Sequence, residues 1–135
     1  MQLIQKNICT RTYLISIIMT LLIVNCKAVE KIEINRKKSP DSKVEAVLTR
    51  INSGATSSYA YYIYIVPSGE DIKNYREIFK ADNVQNLEII WKKDKLLYIK
   101  YKKGRIFHFT NFWHSKKIQN YEYQVKIQLI LINNN

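Results

Sequence analysis

The chain has little glycine, proline, cysteine or histidine, and these shortages exclude several kinds of site. Of 135 residues, three are glycine, two are proline, two are cysteine and two are histidine. Each glycine lies in a predicted turn, so no glycine-rich loop is available to hold phosphate. His108 and His114 stand six residues apart, and no carboxylate lies near them at ligand spacing. We therefore predict no metal site and no cofactor.

Arrangements of catalytic residues are also missing from the sequence. It contains no Gly-x-Ser-x-Gly elbow and no recognisable order of serine, histidine and acid. Asp and Glu together number 11, against 22 Lys and Arg, and most of the acids stand beside lysines. Paired carboxylates for general acid–base catalysis are therefore sparse. We predict that the protein is not an enzyme, and we assign no catalytic residue.

The N-terminal part has no acidic residue before Glu30. Lys6 and Arg11 precede an apolar run at residues 13–24. This order of basic segment, apolar core and polar chain is typical of a secretory signal. The run is shorter than the roughly 20 residues that span a bilayer. We predict a signal peptide, forming a signal helix, over residues 1–26, a linker over 27–38 and a single β-domain over 39–132.

The positions of the two cysteines indicate how the exported chain is attached to the membrane. Cys9 leaves with the signal, so Cys26 stands alone and the mature domain has no internal disulfide. The segment Ile23-Val24-Asn25-Cys26 resembles the lipobox of bacterial lipoproteins, although Asn25 stands where glycine, alanine or serine is usual. The resemblance implies lipidation at Cys26 and a lipid anchor in the bacterial cell envelope. Two alternatives stay open: cleavage after Ala28, giving a periplasmic or secreted protein, and an uncleaved anchor.

The rest of the chain alternates between apolar and polar residues with the two-residue period of β-strands. Strands are predicted at residues 32–34, 44–51, 59–66, 78–81, 87–92, 96–101, 105–110 and 121–131. Both faces of the tyrosine-rich segment 59–66 are apolar or amphipathic, which predicts a central strand. Strands at roughly ten-residue spacing predict an all-β fold. We expect an antiparallel meander that forms a small sandwich or partial barrel.

Several short segments, taken in order, resemble a family of small exported bacterial proteins that are described as lipoproteins of unknown function. They are Ser39-Pro40-Asp41 with Lys43, Ser53-Gly54-Ala55-Thr56-Ser57, Ile65-Val66-Pro67 with Gly69, Ile78-Phe79-Lys80-Ala81-Asp82, and Leu87-Glu88-Ile89-Ile90-Trp91 with Asp94 and Leu96. The resemblance covers residues 39–99 and implies fold and location, but no activity. Ser53 stands where the family has cysteine and Ser42 where it has glycine, so no thiol role is carried over.

One candidate site is the turn that leads into the tyrosine-rich strand. The hydroxyls and backbone N–H groups around Ser53, Gly54 and Thr56 could bind an anion. The alternative is a plain hairpin turn that needs Gly54 for its positive φ. Tyr59 and Tyr61 could extend the site as a ligand strand, because tyrosine rings offer flat apolar area with a polar tip.

The second candidate is a basic run, which fits the formal net charge of +11. It comprises Lys92, Lys93, Lys95, Lys100, Lys102, Lys103 and Arg105. We predict that these residues contact anionic envelope polymer or lipid headgroups, and not nucleic acid, because the chain is exported. The alternative is a solvated hairpin whose lysines protect a sheet edge from aggregation.

These observations predict a non-enzymatic, lipid-anchored protein of the cell envelope that acts as an interaction or structural module. A ligand-binding domain for a glycan or anionic polymer, or an inhibitor of an envelope hydrolase, remains the alternative. The sequence identifies no protein partner.

Overall fold

The computed structural model describes residues 29–52, 54 and 58–133. Within them lie two three-residue 3₁₀ helices, Ile72–Asn74 and Gln119–Tyr121, and no α-helix. The strands are β1 Lys31–Lys38, β2 Val44–Ile51, β3 Ala60–Pro67, β4 Phe79–Gln85, β5 Glu88–Lys93, β6 Leu96–Tyr101, β7 Lys103–Phe109, β8 Phe112–His114 and β9 Gln124–Leu131. The all-β prediction is confirmed. The predicted signal helix with Cys26, and Ser53 and Thr56 of the candidate turn, lie outside the described residues.

The strands form two sheets. The first sheet has the order β1-β2-β3-β4-β7, and the second has the order β5-β6-β9-β8. Neighbouring strands are antiparallel except β6 and β9, which run parallel. This order departs from the antiparallel meander that we predicted. Strands β4 and β7 pair with each other, and the β5–β6 hairpin lies between them in the chain. The sequence did not predict this order, because alternation marks a strand but does not specify its partner.

One hydrophobic core joins the two sheets. It contains Val44, Ala46, Leu48, Ile63, Ile65, Ile78, Phe79 and Ala81 from the first sheet and its connections, and Ile89, Leu97, Ile99, Trp113, Tyr123, Val125 and Ile127 from the second sheet and the segment before β9. Strand β3 pairs with β2 on one side and β4 on the other, as predicted for a central strand. Its outer face is covered near Tyr64 and Val66 by Ile72 and Tyr75.

Most of the segment that we predicted as a linker is strand β1. It pairs with β2 across a bulge between Glu33 and Asn35. Residues 31–35 are exposed, so their sequence does not show the pattern of a half-buried strand. The end of β1 is held against the second sheet, because the Trp91 indole donates a 2.8 Å hydrogen bond to the Lys37 carbonyl.

Two further stretches of strand lie in segments that we predicted as connections between strands, 82–86 and 111–120. Strand β4 continues to Gln85 through the polar segment 82–86, with Asn83 at a φ of 50°. Strand β8 lies within the predicted connection 111–120 and pairs with β9. Both stretches are short and largely exposed, so their apolar periodicity is weak.

Candidate anionic-surface interface

The fold divides the basic run into separate groups. Lys92, Lys93 and Lys95 lie at the β5–β6 turn, whereas Lys102 and Lys103 follow the far end of β6. Lys100 is also near that far end. Strand β6 has six residues, which at about 3.3 Å per residue places the two groups about 20 Å apart. The predicted residues therefore do not form one patch.

Arg105 belongs to the first sheet and has its own counter-ion. It lies opposite Asp82, and its Nε donates a 3.0 Å hydrogen bond to Asp82 Oδ1. The guanidinium lowers the pKa of the Asp82 carboxyl and has its own pKa raised in return. Lys100 in turn lies directly opposite Glu88 on β5. Acidic neighbours thus offset part of the positive charge at the far end of β6.

The lysines of the β5–β6 turn are joined by two that the sequence did not place there. The Lys43 and Lys95 ammonium groups lie 5.4 and 4.8 Å from the centroid of the Tyr123 ring. The Lys126 amide donates a 2.9 Å hydrogen bond to the Lys95 carbonyl. We call this set the turn lysines: Lys43, Lys92, Lys93, Lys95 and Lys126. All are exposed, and none forms an ion pair within the described part of the chain.

Tyr123 brings Lys43 and Lys95 together. Its ring is fully buried, and its hydroxyl donates to Asp41 Oδ2 at 2.7 Å and lies 3.0 Å from the Asp94 carbonyl oxygen. Burial raises the pKa of this hydroxyl, and the facing Asp41 carboxylate raises it further. Burial would raise the pKa of Asp41, but hydrogen bonds from the Ser39 and Tyr123 hydroxyls hold it below its ordinary value. Asp41 and Tyr123 are 82 residues apart, so no local pattern could have revealed the cluster.

Beside the turn lysines, the outer face of the second sheet is amphipathic. Ile90, Leu96, Tyr98 and Ile130 alternate with inward-facing core residues and are half-buried. Lys126 lies next to Leu96 in the ladder, and the Lys92 ammonium lies 5.7 Å from the Tyr98 ring centroid. The face thus combines partly exposed apolar side chains with a cationic border.

No family model, curated protein or solved structure matches this chain. The interface is therefore defined by its own geometry. Among the described residues, no helix has the length and apolar character needed to cross a membrane. No group of three or more His, Cys, Asp or Glu side chains in the same part of the chain is arranged to hold a metal ion.

The tyrosines of the tyrosine-rich strand are mostly packed against the first sheet, although Tyr64 also lines a cleft of about 870 Å³ beside β1. Tyr64 is buried, Tyr61 is half-buried against the core, and Tyr62 packs on the outer cluster around Val47. Tyr59 is exposed, but its ring is covered by the Arg50 guanidinium at 4.5 Å. The tyrosines mainly pack the two faces of the first sheet.

Of the candidate turn before this strand, the structure describes Gly54. Its φ of 118° lies in the region that favours glycine, and its amide donates a 3.2 Å hydrogen bond to Asn52 Oδ1. This geometry fits the hairpin-turn alternative.

Proposed function

We propose that this protein is a non-enzymatic module of the bacterial cell envelope that is lipid-anchored through Cys26 and rests on anionic lipid headgroups. The contact is made by the turn lysines and the adjoining outer face of the second sheet. The observation that carries the proposal is the convergence of exposed lysines from separate segments on one end of the molecule.

The physical basis is the combination of charge and partly exposed apolar surface. Each Lys or Arg near an anionic membrane contributes about 1 kcal/mol to binding. Ile90, Leu96 and Tyr98 supply apolar area beside that charge, as in amphipathic surfaces that lie in the headgroup region. A single acyl chain binds marginally, so such a surface strengthens attachment through a lipid anchor.

The turn lysines can be tested in exported protein that carries Cys26→Ser, so that binding is measured without the anchor. Binding to phosphatidylglycerol vesicles is measured by co-sedimentation. We expect Lys92→Gln, Lys93→Gln and Lys95→Gln together to weaken it by about 100-fold, from about 1 kcal/mol per lysine. Binding should also fall between 0.1 and 1 M salt, as the Debye length shortens from about 10 to 3 Å.

A matched control removes the same charge from the other end of β6. Lys102→Gln, Lys103→Gln and Arg105→Gln should change vesicle binding only a few-fold, because the two groups are separated by about two Debye lengths at 0.1 M salt. Equal losses in the two triple variants would contradict a defined contact face. Binding to a soluble polyanion, such as polyglutamate, with no affinity for vesicles would point to an envelope polymer instead of lipid.

A further inference from the structure

A cleft of about 940 Å³ lies away from the turn lysines, between residues 74–78 and the segment 108–121. Its volume is in the range of small-ligand sites, about 300 to 1,000 Å³. Trp113, a residue of the buried core, is among the residues that line it, as are His108 and Thr110, whose side chains are 3.2 Å apart. None of these residues belongs to the candidate sites taken from the sequence.

One wall of the cleft is a row of aromatic rings. The Phe112 and His114 rings lie 5.5 Å apart at 89°, and the His114 and Tyr121 rings lie 5.1 Å apart at 63°. Phe112 and Tyr121 remain 49% and 48% exposed. These two rings therefore offer apolar surface to a ligand while His114 fixes their positions.

The segment that presents Tyr121 has an unusual backbone. Gln119, Asn120 and Tyr121 have φ values of 50°, 48° and 71°, so three consecutive non-glycine residues are left-handed. Left-handed residues other than glycine normally occur singly. The Tyr121 amide donates a 3.2 Å hydrogen bond to the Ser115 carbonyl, which ties the segment to the end of β8. Such strained backbone is concentrated at ligand-binding sites.

Cations stand at the rim of the same cleft. Lys117 is held by a 2.8 Å ion pair to Glu70 Oε2. Arg76 and Lys116 are exposed, line the cleft and have no ion-pair partner among the residues that the structure describes. Glu77 is the acidic residue of the lining. The guanidinium of Arg76 is suited to bidentate binding of a carboxylate.

We infer that this cleft binds an acidic saccharide, meaning a sugar chain that carries carboxylates. Phe112 and Tyr121 contact the apolar faces of the sugar rings, and Arg76 and Lys116 bind the carboxylate. Aromatic rings suit sugars because they combine flat apolar area with little conformational freedom to lose. The inference goes beyond membrane attachment, because the cleft and the turn lysines share no residue.

The fluorescence of Trp113 provides a direct measurement of saccharide binding. The other tryptophan, Trp91, lies on β5 outside the cleft, so Trp91→Phe in the full exported chain leaves Trp113 as the fluorescent reporter. Titration with a hyaluronan hexasaccharide, which alternates glucuronic acid and N-acetylglucosamine, should change its fluorescence with saturation. Chitohexaose, which has no carboxylate, should bind at least tenfold more weakly. No saturable change with hyaluronan, or equal binding of both sugars, would overturn the inference.

Variants distinguish the cleft from other basic surfaces. Tyr121→Asn removes a ring but keeps a residue that tolerates left-handed backbone. We expect Tyr121→Asn, Phe112→Thr and Arg76→Gln each to weaken hyaluronan binding at least tenfold. Phe107→Thr is the matched control, because Phe107 is 53% exposed on β7 and does not line the cleft. It should leave binding unchanged.

Two other results would also overturn the inference. One is a loss of hyaluronan binding on replacing Lys92, Lys93 and Lys95 but not on Tyr121→Asn, since the sugar would then bind the turn lysines. The other is tighter binding of a thymidine hexanucleotide than of the hexasaccharide, since the ligand class would then be nucleic acid. Vesicle binding by the same variants reports separately on the proposed membrane contact.

Discussion

At the scale of single residues, the least expected feature is a buried carboxylate near the start of the interior strand β2. Glu45 is 5% exposed, and its carboxylate accepts hydrogen bonds of 2.6 Å from Arg36 Nη1 and 3.1 Å from Ser68 Oγ. Burial would raise its pKa, but the hydrogen bonds from Arg36, the Gly69 amide and Ser68 hold the pKa below its ordinary value. Arg36 also binds Glu33 and the Glu70 carbonyl. It therefore fastens β1 and the segment after β3 to β2.

Arg36→Gln should remove the closest cation from the buried Glu45 and leave only the exposed Lys38 ammonium, 3.8 Å from Glu45 Oε1. We expect a loss of about 3 kcal/mol in the free energy of unfolding, measured by urea denaturation at pH 7. The wild-type contribution is present above the unfolded pKa of about 4.3 and is lost as pH falls through the lower folded pKa. The variant should therefore lose less stability on acidification than the wild type. An unchanged midpoint at pH 7 would show that Ser68, Gly69 and Lys38 together suffice to stabilise the Glu45 carboxylate.

Cys26 lies outside the described residues, so its role stays a prediction. Cys26→Ser should remove the acylated side chain and release the exported protein into the soluble fraction, because stable attachment requires more than one weak signal. The measurement is membrane fractionation followed by N-terminal sequencing of wild type. A mature N-terminus at Val29, or soluble wild-type protein, would contradict lipidation.

At the scale of elements, strands with regular apolar residues were predictable from the sequence, including the edge strands β5 and β7, whereas the edge strands β1 and β8 were not predicted in full. The predicted bounds of β2 and β6 agree with the structure, because both strands carry regular apolar residues. Strand β8 was missed, and β1 was predicted only at residues 32–34, because exposed residues in these strands carry little apolar periodicity. The prediction of the candidate sites from the sequence was incomplete for a related reason. Lys43 and Lys126 are distant in sequence from the β5–β6 turn, and the cleft joins residues 74–78 to the segment 108–121, so a local pattern could not reveal either site.

The difference between interior and edge strands should appear in their stability. Ile65→Ala on β3 empties a fully buried position and should lower the free energy of unfolding by about 3 kcal/mol. Ile34→Ala on β1 removes the same atoms where the side chain is 46% exposed, and it should cost less than about 1 kcal/mol. Urea denaturation of both variants measures the difference. Equal losses would show that β1 packs more closely than its exposure indicates.

At the scale of the whole molecule, the two proposed tasks use surfaces that share no residue. The turn lysines lie around the start of β6, where Tyr123 joins Asp41 of the first sheet to Asp94 of the second. The aromatic cleft uses β8 and the segment 74–78, and the Lys117–Glu70 ion pair connects its two sides. Membrane contact and saccharide binding therefore use different surfaces, and one protein could do both at once.

The parallel pairing of β6 with β9 also bears on the order in which the chain can fold. Leu97 and Ile99 are covered within the second sheet by Ile127 and Leu129, about 30 positions further along the chain. A chain that emerges with its N-terminus first cannot complete this sheet until β9 has also emerged. Such long-range pairings make folding slow. An exported protein must cross a membrane before it folds. In the proposed export, this fold would delay closure of the core until nearly all of the described chain had crossed the membrane.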